Sequence, residues 1–425
     1  MRHIVTTYLG KSVRKIAQLR GGGSALPGLI VEKIDQNYVR RALSRLPMGI
    51  VLISGTNGKT TTTKMVVELL ESQGLGVFTN RTGSNFTRGV AAALIGEADR
   101  TGTLRADIAV LELDEAYAVH FVKAIAPTYS LLLNVMRDQL DRFGEIDMTA
   151  ELLHTVARYT TNGVVINRDD PRLVAPKFID TLETPYHTYG VATKLLHAFP
   201  SDDALHGSEA PSTTSTAKER DDTELTDFDD QLACIAYSGT NHTVPLRLKG
   251  MYNVHNAVGA VALTRMIMGN KLNEKAMLDA LSKVTPAFGR GESIHIGDIE
   301  CELVLVKNPA GFRLSLNSFD SKDIDTMIAI NDDYADGRDM SWLWDVNFES
   351  LMPRVCVVSG IRAYDMALRL QYDKVPIGSV EPTLADALEI FLKKPNSTKR
   401  IYCTYTAMLA LRRELAKHTD VEVVR

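Results

Sequence analysis

Cysteine is scarce. Four thiols, Cys234, Cys301, Cys356 and Cys403, are scattered over 425 residues, and none forms the close pair that a structural zinc site uses. That scarcity excludes a disulfide scaffold. Together with a start that lacks the long apolar core of a signal peptide, it points to reduced thiols in the cytoplasm. No apolar run reaches about 18 residues, so no membrane-spanning helix is expected, which does not exclude a membrane-embedded substrate met at the bilayer surface. An excess of basic charge is missing too. The 48 Lys and Arg stand against 52 Asp and Glu, a net charge of −4, which supports neither nucleic-acid binding nor a polybasic membrane anchor. No repeat of solenoid period is present. What is present is an ordinary mixture, 45% hydrophobic and 24% charged, as expected of a folded chain of roughly two to four domains.

Along the chain, residues 1–45 read as a helical lead-in broken at Gly21-Gly22-Gly23-Ser24 and at Leu26-Pro27-Gly28. The apolar run at 50–53 then has the length and branching of a buried strand. It enters Gly55-Thr56-Asn57-Gly58-Lys59-Thr60-Thr61, after which Met65, Val66, Leu69 and Leu70 fall at helical spacing. Strand, glycine loop and helix open a parallel α/β unit. Further strands are expected at 108–113, 129–134 and 163–167, in a doubly wound sheet reaching to about residue 298. Residues 200–231 carry ten acidic and two basic residues and read as a solvated insertion. After His295 a second α/β pattern begins, with strands expected at 303–306, 326–330 and 355–359. The expected division is a lead-in at 1–45, a central domain at 46–298 and a C-terminal α/β domain at 299–425.

The glycine loop carries the strongest chemical signal. Gly55, Thr56, Asn57, Gly58, Lys59, Thr60 and Thr61 can wrap backbone N–H groups around phosphate oxygens. Lys59 can reach the β- and γ-phosphates, and the Thr60 hydroxyl can ligate Mg²⁺. The common phosphate-loop pattern has a glycine five residues before Gly58, where this chain has Ile53, so the match is to a shorter form. The bland alternative is a tight turn with a solvated lysine. Glu112 ends a strand expected to run parallel to the first, so its carboxylate should open at the same edge and suits Mg²⁺. Asp114 and Glu115 beside it read equally well as solvated loop acids. Arg290 can stabilise charge on a transferring phosphoryl group, or make an interdomain ion pair.

These segments together resemble the Mur ligase family of ATP-dependent amide-forming enzymes. The matching stretches are the loop at 55–61, LELDE at 111–115, Asn134-Val135 with DQLDRF at 138–143, NRDDP at 167–171, GMYNVHNA at 250–257 and FGRGE at 288–292. Three more, NRTGSNFTRG at 80–89, NDDYADGRDMSWLWD at 331–345 and SGIRAYDMA at 359–367, narrow the likeness to the ligase-like subunits that amidate lipid II. The resemblance implies a Mur ligase-type central ATPase domain with a C-terminal α/β domain, and ATP and Mg²⁺ as cofactors. It also implies that Asn253 and Asn256 hold the adenine and that Arg290 senses phosphate. Ordinary members carry a full N-terminal domain for a UDP group, which forty-odd residues cannot build. They also place a Mg²⁺-binding histidine where this chain has Gln139, and a modified lysine where none occurs between Lys123 and Lys177. Many of the ligase-like subunits carry a four-cysteine zinc ribbon. Only Cys234 lies near that region, so no zinc is expected.

The implied reaction is phosphorylation of the α-carboxyl of D-isoglutamate in the lipid II stem peptide, followed by attack of ammonia to give D-isoglutamine. No glutaminase nucleophile is legible, since Cys301, Cys356 and Cys403 lie in or beside apolar segments. The resemblance therefore implies a separate GatD-type glutaminase, in a heterodimer, and an aspartate of the C-terminal domain that orients the partner's histidine. Asp339 is the first candidate, with Asp336 and Asp345 behind it; the bland reading of Asp339 is a helix cap. Two rivals stand beside this reading. One is a self-sufficient Mur-type amino acid ligase, the other a noncatalytic nucleotide-binding scaffold for a glutaminase.

Overall fold

The structure, a computed structural model, describes residues 2–19, 26–80, 87–99, 101–137, 146–201, 222–229, 232–248, 250–285, 290–318 and 323–421. Among the described residues the strands form two sheets, of nine and six strands.

The lead-in is helical: α1 (Arg2–Leu19), α2 (Leu26–Ile34) and α3 (Tyr38–Leu43). The first sheet is built from β1 (Ile50–Ser54), β2 (Val77–Thr79), β3 (Ile108–Glu112), β4 (Tyr129–Leu132), β5 (Gly163–Asn167), β6 (Tyr186–Val191), β7 (Thr223–Phe228), β8 (Leu232–Tyr237) and β9 (Thr240–Pro245). The strand order is β2-β3-β1-β4-β5-β6-β7-β8-β9. It is parallel from β2 to β7 and ends in an antiparallel meander. Crossovers run through α4 (Lys59–Ser72), α5 (Thr87–Glu97), α6 (Glu115–Ala124), α7 (Ile146–Tyr159) and α8 (Pro176–Ile179).

β1 shows why the continuous apolar run reads as a strand. Its five residues are all buried. Val51 and Ile53 enter one apolar layer, Ile50 and Leu52 the other, because successive side chains leave opposite faces of a sheet covered on both sides. β1 lies between β3 and β4, where the winding reverses. In open α/β sheets that switch point, at the carboxyl ends of the strands, is where ligands bind. The glycine loop starts there.

α9 (Met251–Met268) and α10 (Glu274–Leu281) close the first sheet. The second sheet has the order β10-β11-β15-β12-β13-β14, from β10 (Arg290–Ile296), β11 (Ile299–Leu305), β12 (Asp325–Ala329), β13 (Val355–Ser359), β14 (Ile377–Val380) and β15 (Thr398–Cys403). Helices α11 (Pro309–Ser318), α12 (Ala363–Tyr372), α13 (Leu384–Leu392) and α14 (Tyr405–Leu415) flank it.

Two expectations need correction. β10 pairs antiparallel with β11, Ile296 opposite Ile299, so the boundary drawn at 298/299 cuts a hairpin. The second sheet begins by Arg290, because the polar turn at Gly297 reverses the chain rather than separating domains. The acidic stretch at 200–231 is also not solvated throughout. Residues 202–221 lie outside the described residues, but 223–228 form β7 in the main sheet, with Thr223 and Leu225 buried. Asp222 and Glu224 pair with Arg168, the latter at 2.7 Å, so part of its acidity is matched by a specific cation.

Candidate active site

The loop leaves β1 at Gly55, φ +136°, and enters α4 at Gly58, φ +88°. Both angles lie where L side chains are strained. Space is short as well: a Cβ on Gly58 would sit 2.6 Å from the Asn256 amide oxygen. α4 therefore starts without a capping side chain, and its first N–H groups face the loop, an arrangement suited to an anion.

Lys59 is buried. Its ammonium donates to the carbonyls of Gly55 at 2.5 Å and Thr56 at 3.2 Å, and lies 3.3 Å from the carboxylate of Glu115. The bland reading of Glu115 as a loop acid fails, since it is buried at the start of α6 opposite the lysine. The Thr60 hydroxyl donates to Glu112 at 2.7 Å. The parallel register that sets Glu112 beside Ile53 brings them together. Asn80 fixes the Glu112 peptide by donating to its carbonyl and accepting from its N–H, at 2.9 and 3.0 Å.

A second set of amides holds the loop from the β4 side. Asn134 accepts from Asn57 N–H at 2.9 Å and donates to Asn57 O at 3.1 Å, and Thr56 Oγ1 accepts from Met136 N–H. The segment is anchored in turn by buried Asp170, which accepts the N–H groups of Val135, Arg172 and Leu173. Burial pushes the Asp170 carboxyl up to about 6.

The C-terminal domain also reaches the loop. Lys307 donates to Thr56 O at 3.2 Å, and the amides of Asn308 and Asn57 exchange hydrogen bonds at 3.1 and 3.5 Å. Sequence reasoning missed Lys307, Asn308, Asn80 and Asn134. The signal available was their place, each at the carboxyl end of a buried strand, as for Glu112. Asn253 and Asn256 sit buried on the first turns of α9, Asn256 against Gly58. Arg290 opens β10 opposite Val304; its side chain lies outside the described residues, as do the DQLDRF stretch with Gln139 and residues 81–86.

The three C-terminal aspartates differ. Asp336 is buried and accepts both the N–H and the hydroxyl of Thr406, the N–H at 2.8 Å and the hydroxyl at 2.5 Å; burial raises its carboxyl. Asp345 is exposed, and its backbone carbonyl accepts from Arg313. Asp339 is exposed and accepts Ser341 N–H at 2.8 Å, just ahead of the short helix Ser341–Asp345. The hydroxyl and N–H of Ser341 hold its carboxyl below the usual aspartate range. Asp339 is not itself the N-cap, which is Met340, but it satisfies the first N–H of that helix from one residue outside, and an exposed anion remains. Arg338, Trp344, Arg362 and Asp365 line the same cleft. Burial pushes the Cys301 thiol up to about 12 and raises Cys356 and Cys403, so these thiols stay protonated and unreactive at neutral pH.

Residues 53–264 match the Mur ligase middle domain, and residues 305–408 match the MurT ligase C-terminal family. A protein of Streptococcus pneumoniae (strain ATCC BAA-255 / R6) named lipid II isoglutaminyl synthase (glutamine-hydrolyzing) subunit MurT is 30% identical, over 97% of this chain and 96% of its own. The chain belongs to the MurT family of Mur ligases. The protein of the same name from Staphylococcus aureus (strain COL) is 29% identical over 89% of both chains. The fold is also that of a MurF ligase from Thermotoga maritima solved in complex with ADP, at a TM-score of 0.65 and 17% identity over 92% of this chain and 85% of that one.

Proposed function

We propose that this chain is the ligase subunit of a lipid II isoglutaminyl synthase. It activates the α-carboxyl of D-isoglutamate in the stem peptide with ATP, and amidates it with ammonia from a GatD-type glutaminase, at the inner face of the membrane. The observation that carries this reading is the group at the switch point: buried Lys59, the Thr60–Glu112 pair and the two glycines, in a chain that follows the pneumococcal MurT over nearly its whole length.

In the activation step a carboxylate oxygen of the substrate attacks the γ-phosphorus, the bond to the β-phosphate bridge breaks, and ADP leaves. In the second step the ammonia lone pair attacks the acyl carbon, inorganic phosphate departs with the C–O bond, and the nitrogen sheds one proton. The protein's part is positioning and charge neutralisation. Loop N–H groups and the α4 N-terminus cradle the phosphates, Lys59 places a point charge on the β/γ oxygens, and Asn253 and Asn256 hold the base. Arg290 attends the transferring group. The Thr60 hydroxyl and Glu112 carboxylate are hard oxygen donors 2.7 Å apart, a set that fits Mg²⁺, which takes few protein oxygens beside phosphate and water. They would hold it, and its charge would offset that of the phosphates. Zinc has no place in this scheme.

The partner docks on the face of the C-terminal domain that presents Asp339. There Tyr364, Leu368 and Tyr372 form an exposed apolar stripe along α12, continued by Ile361 just ahead of it, with Trp344 edge-on to Tyr372. Such a patch marks an interaction surface, and Asp339 at its border can orient a histidine of the partner. The test is co-purification with a candidate glutaminase, followed by mass analysis of lipid II treated with ATP and glutamine. A loss of about 1 Da is expected as an activated acid becomes an amide. Nucleotide binding without that loss would sink the reading.

A further inference from the structure

We propose that α1 docks the protein on an anionic membrane surface, lying flat with its outer stripe in the headgroup region. The helix is turned inside out for a protein facing water. Its inward side is small and polar: Thr6 and Thr7 are buried, Thr7 against the Tyr38 hydroxyl at 3.3 Å, and a Cβ on Gly10 would press into Val31 and Ile95. Its outward side carries Val5 at 65% exposure, Tyr8 at 51%, Leu9 at 42% and Ile16 at 53%. The spacings of three, four and eleven from Val5 put all four on one stripe, with Ser12 and Lys15 exposed alongside. Single exposed apolar residues are normal, but a continuous stripe is a docking surface.

Charge selects the occupant. Residues 1–45 hold nine Lys and Arg against two acidic residues, while the rest of the chain holds 39 against 50. The net charge of −4 conceals this division. A basic segment with an apolar stripe is the pattern of a helix held at an anionic lipid interface. Among the described residues no helix is long and apolar enough to cross a membrane, which agrees with a helix lying in the plane. The placement is useful. α2 packs against the first turn of α5, with Gly28 in contact with the Arg88 carbonyl and Glu32 paired to Arg88 at 3.2 Å. α5 follows β2 at the sheet edge where Asn80 holds Glu112. Docking through α1 thus brings that edge toward the bilayer. The inference deepens the proposed reaction, whose substrate is lipid-linked, but it stands on the lead-in alone.

The test is sedimentation of the full chain with vesicles of equal phosphatidylglycerol and phosphatidylcholine, and with phosphatidylcholine alone. Low salt should favour the anionic vesicles by about 10-fold or more, with binding lost by about 0.5 M NaCl. Val5→Ser, Leu9→Ser and Ile16→Ser combined should cut binding about 10-fold or more and leave the melting temperature and ATP-analogue binding unchanged. As a second readout, Tyr8→Trp should shift its emission to the blue on anionic vesicles only. Three results overturn the proposal: no preference of the wild type for anionic vesicles, equal binding by the triple variant, or a wild-type dimer or glutaminase complex that the triple variant dissociates, which would assign the stripe to a protein. Vesicle binding without lipid II amidation would defeat the proposed reaction and leave the docking surface standing; the converse would do the reverse.

Discussion

The glycine loop and the Asp339 face are built in opposite ways. Lys59, Glu112 and Glu115 are buried, the loop is held by the amides of Asn134 and Asn308, and Glu112 is fixed by that of Asn80. Asp339 stands exposed, tied to its own turn through Ser341 and bordered by apolar side chains in water. Charges that act on a small anion gain from a dry, preorganised site, where each is worth more than in water. A carboxylate that completes another protein's site must wait at the surface, and becomes buried only when the partner arrives. On the proposed reading, one chain presents a finished site beside half of one.

The sharpest break between the two is a pair of substitutions. Lys59→Met should lower amidation from either nitrogen source by at least about 10³-fold, since it removes the buried cation proposed to meet the phosphates. Leaving Glu115 buried and alone also destabilises the protein by roughly 3–5 kcal/mol. Lys59→Met with Glu115→Gln should recover most of that stability and none of the activity, which separates chemistry from folding in a melt and a turnover assay. Asp339→Asn should act on one source only. Glutamine-driven amidation should fall about 10²–10⁴-fold as the partner's histidine loses its orienting carboxylate, while amidation from added ammonia persists. Equal loss from both sources would remove Asp339 from that role.

How much of each region the sequence exposed follows from the range of the interactions. β1, the loop and α4 are contiguous, so apolar run, glycines and helical spacing were legible in order. Glu112 followed because parallel register carries a strand end to the same edge. Glu115, three residues on, looked like any loop acid, because its burial depends on Lys59 across the turn. β7 was hidden by composition: its inward residues alternate from Thr223 to Leu225, but the acids around it suggested solvent. Lys307 and Asn308 stand at the end of a strand that was legible, but their contact with the loop was not, because it spans some 250 residues. α1 was legible as a helix, but neither whole-chain charge nor helical periodicity reveals which of its faces turns inward.

A smaller effect tests the anchoring of the loop. The Asp170 carboxyl lies at about 6 in the folded protein against 3.8 in the open chain. The folded state therefore holds the extra proton between those values, and stability falls as pH rises through them. The Asp170→Asn variant has no proton to lose there. The stability of the wild type relative to that variant should thus drop between about pH 4 and 6, by on the order of 3 kcal/mol, and change little above. Denaturant melts across that range measure it; a flat difference would mean that the three backbone N–H groups hold Asp170 ionised throughout.

The smallest predicted effect lies where the two regions touch. Asn308 has two tasks: its carbonyl accepts Gly311 N–H at 2.7 Å in the first turn of α11, and its amide nitrogen donates to Asn57 at 3.1 Å. Serine can keep the first task, because a short hydroxyl caps a helix about as well as an amide, but it cannot reach Asn57. Asn308→Ser should therefore leave the melting temperature nearly unchanged while freeing the loop from the C-terminal domain. If that contact preorders Asn57 for the triphosphate, calorimetry with a non-hydrolysable ATP analogue should show about 5-fold weaker binding, the worth of one net hydrogen bond. Tighter binding would reverse the sense of the contact. Lys307 and Asn308 would then hold the loop shut against nucleotide, and the C-terminal domain would have to withdraw before ATP could enter.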